Sequence, residues 1–338
     1  VSEEPACETQ PSKKSSRARL TGIIAAIIGL AVATAVIGYF NVGAVLQAIA
    51  PIGLGGFVIV IAAQVVLFAP LGFAWWLVAS CPGNTQPVFM GGRLAREAAS
   101  DVLPFSSIGG LVIAARVAVL GGVSSAESFG SCVVDISVEM VAQLIYTLIG
   151  VALLAHRLGG FKGHGQLLWP VLASLAIAVS VAGSFIATQR RGLDAIERLV
   201  RRMIPAAAEQ TAAVAVVISE AYNRPVRLAV CLVVHVFCWF GAAGGTWLIL
   251  DFIGHPLPFL SVVAIESLLF AIRNAAFVVP SGLGVQEGSY ALLGPLFGLP
   301  SEAALALSLL KRARDIVIGV PVLLLWQLME GRRSLREA

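Results

Sequence analysis

The sequence predicts an all-α polytopic membrane protein: about six full transmembrane helices and two Pro/Gly-tipped re-entrant hairpins, arranged as an inverted-topology repeat. Three observations lead there. First, 58% of the 338 residues are hydrophobic and only 12% are charged, about half the charged share of a soluble domain, and mean hydropathy is +0.90. Second, several apolar runs reach the roughly 20 residues that cross a bilayer as a helix, where a β-barrel would show short alternating segments. Third, features recur at a fixed offset. Gly109 and Gly284 are 175 residues apart, as are Glu127 and Glu302, and Leu54–Ala79 shifted equally lands on Ala229–Gly254.

Taken in order, residues 1–19 are polar and carry Lys13, Lys14, Arg17 and Arg19, which suits a disordered cytoplasmic tail. Leu20–Phe40 is a first span, read as a retained anchor because the apolar run continues past the cleavage-like Ala33-Thr-Ala35. Leu54–Ala79 is a second, with Trp75 and Trp76 as interfacial anchors. The charged piece around Arg93, Arg96, Glu97 and Asp101 leads into a Pro/Gly turn, Pro104 to Gly110, and a short apolar piece, Leu111–Leu120, containing Arg116. Ser124–Ala155 is a long helix on which Ser131, Asp135, Glu139 and Gln143 share one face. Leu168–Thr188 is a further span. Residues 189–224 form an Arg-rich linker in which Leu193, Ile196, Val200 and Met203 make an amphipathic helix suited to an anionic membrane surface, with a solvated loop helix as the alternative. Val226–Leu250 and Ser301–Glu330 complete the spans, and residues 331–338 form a basic cytoplasmic tail.

The single transmembrane domain thus covers residues 20–330, with one repeat at about 54–155 and the second at about 229–330. Each reads as a span, a short polar-capped piece, a Pro/Gly turn, a short apolar piece and a long charged helix. If the two turns tip re-entrant hairpins, both termini are cytoplasmic. Sixteen of the 23 Lys and Arg residues then face the cytoplasm, two (Arg157 and Lys162) face outside, and five lie in membrane segments, as the positive-inside rule requires. The hairpins enter from opposite faces. That is the broken-helix design of many secondary transporters, whose substrate site lies near the midplane.

The stretch Glu266–Asp315 concentrates the chemistry. It carries Glu266, Arg273, Glu287, Lys311, Arg312, Arg314 and Asp315 in an otherwise apolar run. A charge at a helix centre costs roughly 2.5–3.5 kcal/mol on insertion scales, so the four at 311–315 cost on the order of 10 kcal/mol if they face lipid. They are expected to face a protein-lined, wet interior. Lys311, Arg312 and Asp315 share one arc of the last helix and Arg314 flanks it. Asp135 and Glu139 occupy the middle of its repeat partner. Two readings follow: an ion-pair network locking the halves, with Asp135 or Glu139 on Arg312, or a basic site for an anionic headgroup, in which Arg supplies bidentate phosphate contacts. The three basic residues against one acid on the last helix favour the headgroup site. The candidate substrate-binding residues are therefore Arg312, Arg314, Lys311, Asp315, Glu287, Arg273, Arg116, Asp135 and Glu139. The candidate turn residues are Pro280, Gly282, Gly284, Gly109 and Gly110.

Other chemistries find less support. The five cysteines form no CxxC and the four histidines no HExxH, so no metal site is expected. Gly282 to Gly288 lacks the spacing of a dinucleotide loop and no strand precedes it, so no cofactor is expected. A half-helix beginning at Gly284 could instead offer free N–H groups to an anion.

Pro280-Ser-Gly282-Leu-Gly284-Val-Gln-Glu287 resembles the Pro-Gly-Gly-x-Gly-x-x-Glu motif of the lysylphosphatidylglycerol synthase transmembrane-region family, with Ser281 departing from its second position. The Leu-Leu-Lys311-Arg312 run before Pro321 is similar to that family's late Leu-x-x-Arg…Pro segment. Within the family the chain most resembles the hopanoid-biosynthesis-associated membrane proteins of bacteria. The resemblance implies a multi-pass inner-membrane lipid translocase. It does not imply a synthase, because the bifunctional relatives carry aminoacyl transfer on a soluble C-terminal domain and this sequence stops shortly after its last span. The expected partners are membrane lipids, an anionic phospholipid or a hopanoid, then other membrane proteins or further copies of the chain, and no nucleic acid. The rival functions are a non-transporting assembly partner of lipid-biosynthetic enzymes and an intramembrane lipid-modifying enzyme using Glu287, Asp315 or Glu139.

Overall fold

The computed structural model describes residues 52–80, 85–103, 106–157, 205–276 and 284–336, with 50 and 180 as isolated positions. The tail, the 20–40 and 168–188 spans, the 193–203 apolar face, Pro280 and Gly282 lie outside the described residues. Nine α-helices occur among the described residues: α1 Gly53–Val78, α2 Gln86–Val102, α3 Ser106–Leu120, α4 Ser125–Arg157, α5 Pro205–Tyr222, α6 Pro225–Phe252, α7 Phe259–Ala275, α8 Val285–Leu293 and α9 Ser301–Arg336. A 3-10 turn, Gly294–Phe297, extends α8, and no strand occurs among the described residues. α1, α4 and α6 are long and apolar enough to cross a membrane. α9 is longer, but its four charges at 311–315 set its composition apart. Outward positions such as Val58, Val66, Val233 and Phe237 are apolar and exposed, the pattern of a surface that meets lipid.

The 175-residue offset holds for the helices themselves. α1 maps onto α6, α2 onto α7, α3 onto α8 with its 3-10 turn, and α4 onto α9, each within a few residues. Gly122 and Gly298 close the two hairpins at φ +93° and +89°, a left-handed conformation that glycine adopts without steric cost. The positions equivalent to α5 at this offset, 30–47, lie outside the described residues.

The packing shows how the halves are related. In α1 and α6, Gly56 lies against Phe252 and Gly241 against Leu67, so the two run antiparallel. Helices that are repeat-equivalent, adjacent and antiparallel must be exchanged by a rotation about an axis perpendicular to them. When α1 and α6 span a bilayer, that axis lies in its plane, which makes the repeat an inverted one. α2 and α3 form an antiparallel hairpin, with Val88 on Gly121 and the Arg96 carbonyl against Gly110. α7 and α8 form the second, through Glu266–Tyr290 and Arg273–Gln286. The hairpins are exchanged between halves. α2 packs on α9, where Gly319 lies against Val102 and Ala98, and α7 packs on α4, where Gly150 lies against Ser267 and Ala264.

Two expectations are corrected. Gly109 and Gly110 lie inside α3 and not in a turn, because the helix already starts at Ser106. The close approach of the Arg96 carbonyl, where a Cβ on Gly110 would come to 2.9 Å, accounts for Gly110 in a helix. α9 continues through Gly331 to Arg336, where the sequence suggested an end at Glu330. The described part of the linker is the apolar α5, which buries Ile218 and Ala221 in a core shared with α4 and α6; the amphipathic face at 193–203 lies outside the described residues.

Candidate substrate site in the buried charge network

Charged side chains meet in three groups along the contacts between hairpins and long helices. In the first, α2 supplies cations and α4 supplies anions. Arg93 is 1% exposed. It reaches Asp135 at 3.2 Å, Glu139 at 2.5 Å and Glu97 at 2.9 Å. Arg96 adds a 2.8 Å contact to Glu139. The helical repeat that places Asp135 and Glu139 on one face of α4 aims both at α2. On the far side, His235 Nε2 of α6 lies 3.0 Å from Asp135 Oδ1. Cys231 Sγ, Asp135 and His235 bring three potential ligand atoms within 4.8 Å of one another. Spacing in the sequence missed this juxtaposition because Asp135 comes from another helix. Asp135 Oδ2 faces the Arg93 and Arg96 guanidiniums, at 3.2 and 3.5 Å, which oppose a cation there.

In the second group the signs are reversed: the hairpin supplies anions and α9 supplies cations. Lys311 Nζ donates to Glu266 Oε2 and to the Tyr290 hydroxyl, both at 2.7 Å, and to Thr246 at 3.2 Å. Tyr290 donates in turn to the other oxygen of Glu266. Arg312 grips Glu287 with two nitrogens, at 2.5 and 3.2 Å. Gly284, at φ +75°, precedes α8, and its N–H donates to Glu287 Oε2 at 2.9 Å. The half-helix start that could have offered N–H groups to an anion is thus partly occupied by Glu287 itself.

The third group lies where the hairpins approach their tips. Asp101 is one residue from the end of α2, and Arg273 is two from the end of α7. Arg314 pairs with its neighbour Asp315 at 2.7 Å. Arg273 donates to Gln286 at 3.3 Å and lies over the Phe270 ring.

The ion-pair partners therefore differ from those the sequence suggested. Asp135 and Glu139 pair with α2 and not with the last helix, and the basic excess on α9 is cancelled by Glu266, Glu287 and Asp315. Arg116 is far from the interior groups: it pairs with Glu330 near the end of α9, with 40% of its side chain exposed. Arg93 and Arg96, counted as cytoplasmic from the sequence, belong to the interior. Their burial had a signal, the small residues Ala95, Ala98 and Ala99 that let α2 pack tightly and are themselves buried. His235 and Tyr290 were also missed; each sits in an apolar helix where a polar group needs a partner.

The lysylphosphatidylglycerol synthase TM region model matches residues 26–322. No curated protein and no solved structure matches the chain.

Proposed function

The chain belongs to the lysylphosphatidylglycerol synthase TM-region family, and from that premise we propose that it is a lipid translocase of the bacterial cytoplasmic membrane. It moves an amphiphilic lipid through a midplane site between the two hairpins, which are re-entrant, and both termini are cytoplasmic. The observation that carries the reading is the exchange of hairpins between antiparallel halves, with charges buried where each hairpin also meets the long helix of its own half. Such a polar interior gives a headgroup a path that hydrocarbon denies it. Antiparallel equivalent halves can also trade conformations, so inward- and outward-open states are close in energy. The hopanoid link rests on the sequence resemblance alone, so a hopanoid belongs in the tracer set.

The test is reconstitution of the full chain into sealed vesicles with fluorescent lipid tracers and an impermeant quencher. The accessible tracer fraction is expected to exceed that of protein-free vesicles, with the tracers chemically unchanged. Equal fractions would overturn the reading, and a modified lipid product would replace it with an enzyme.

A further inference from the structure

Asp135 of α4 divides its two carboxylate oxygens between unlike neighbours. Oδ2 faces the guanidiniums of Arg93 and Arg96, at 3.2 and 3.5 Å. Oδ1 faces α6, where His235 Nε2 lies at 3.0 Å and Cys231 Sγ at 3.9 Å. Cys231 and His235 are i,i+4 neighbours, so they stand on one face of α6, and both are aimed at the same oxygen. All three residues are buried, Cys231 as a free thiol. The charges around them do not balance among the described residues. Arg93 and Arg96 meet three carboxylates, Glu97, Asp135 and Glu139, of which Glu97 is the most exposed. One negative charge is left over, whereas the pairs Lys311–Glu266 and Arg314–Asp315 are each neutral. An uncompensated charge in a membrane interior is costly.

We propose that Asp135, Cys231 and His235 bind a divalent transition-metal ion of the zinc class at the contact between α4 and α6. The donor set decides the class: a thiolate with an imidazole favours a zinc-like ion over the hard magnesium and calcium ions. The separations suit it as well. Tetrahedral bonds to N, O and S place ligand atoms roughly 3.3–3.6 Å apart, and the 3.0 and 3.9 Å seen here straddle that range. The ion sits on Oδ1, away from the guanidiniums, which oppose a cation from the Oδ2 side and hold the carboxylate in place. On binding, the Cys231 S–H proton leaves to water and a sulfur–metal bond takes its place. The ion brings two positive charges and the thiolate one negative, so the whole group becomes neutral. Three protein ligands leave one tetrahedral position for a water or another oxygen.

The experiment purifies the full chain in detergent from cells grown with added zinc or cobalt(II), because a buried site takes its ion as the helices assemble. Elemental analysis should find zinc in equal amount with the chain. The cobalt-grown protein should show the near-ultraviolet thiolate-to-cobalt absorption and the visible bands of a tetrahedral ion. Cys231→Ala and His235→Gln should each lower the bound metal by roughly tenfold or more, and Cys231→Ala should abolish the thiolate absorption. A chain with Cys7, Cys81, Cys132 and Cys238 replaced should keep both signals. Alanine fits the space of the thiol and the glutamine amide can still donate to Asp135, so both variants should fold, as checked by gel filtration. Excess chelator should lower the thermal midpoint of the wild type and leave that of Cys231→Ala unchanged. Wild-type protein with no more than trace metal from either growth would overturn the proposal, as would a thiolate absorption that survives Cys231→Ala. Zinc lost on desalting with an unchanged midpoint would mean an adventitious ion only and would overturn it too. A metal-free wild type whose midpoint varies with pH through His235 would assign the balancing charge to a proton instead. None of these readouts uses lipid movement, so the outcome is independent of the translocase reading.

Discussion

The two halves share a backbone plan and reverse its charges. In the first, the hairpin brings Arg93 and Arg96 to Asp135 and Glu139 on the long helix. In the second, the hairpin brings Glu266 and Glu287 to Lys311 and Arg312. The repeat therefore fixes where a charged contact falls along the hairpins and leaves its sign free, because an ion pair stays paired when both partners are reversed. The halves also differ in how tightly the charges are held. Arg93 serves three carboxylates at 1% exposure, whereas Glu287 is 26% exposed beside Arg312.

That difference sets an order of effects. The largest is expected for Arg93→Gln, which leaves Arg96 as the one guanidinium on Asp135 and Glu139 among the described residues. Breaking a buried pair costs about 3–5 kcal/mol, so thermal unfolding in detergent should show a large drop, and an unchanged midpoint would mean the first half is not held by this contact. Glu266→Gln comes next, at roughly 1.5–3 kcal/mol, because Lys311 keeps its hydrogen bonds to Tyr290 and Thr246. Arg312→Lys keeps a cation beside the partly exposed Glu287 and should cost about 1 kcal/mol or less in stability yet slow lipid movement, since the buried guanidinium fork is lost. Equal damage to stability from Arg312→Lys and Arg93→Gln would erase the contrast between the halves. The smallest effect is expected for Arg116→Ala, whose exposed pair with Glu330 contributes at most about 1 kcal/mol.

Much of the fold was legible because hydropathy and the 175-residue offset report backbone-level facts. The spans seen as α1, α4 and α6 fall within a few residues of their sequence bounds, and the bilayer-length rule needs no tertiary information. Pairing was less legible. The face shared by Asp135 and Glu139 follows from helical periodicity, but its partner depends on which hairpin docks on it. The exchange of hairpins between halves is a long-range outcome that no local pattern encodes. Arg93 shows the physical reason: beside Arg96, Glu97 and Asp101 it looks like a loop charge, and only packing of the small residues on α2 against its neighbours takes it out of water. Gly109 was misplaced for a related reason, since the same residue type marks a turn in one half, at Gly284, and a helix interior in the other.

The central claim, that the halves are inverted across the membrane, is tested most directly by accessibility of their equivalent hairpin exits. Ser125 and Ser301 begin α4 and α9, 176 residues apart, and both are exposed. Single cysteines there, in a chain with Cys7, Cys81, Cys132, Cys231 and Cys238 replaced, would be probed with a membrane-impermeant thiol reagent in sealed vesicles of known orientation. Ser125→Cys is expected to label only from the cytoplasmic face and Ser301→Cys only from the opposite one; labelling of both from the same face would contradict the inverted arrangement.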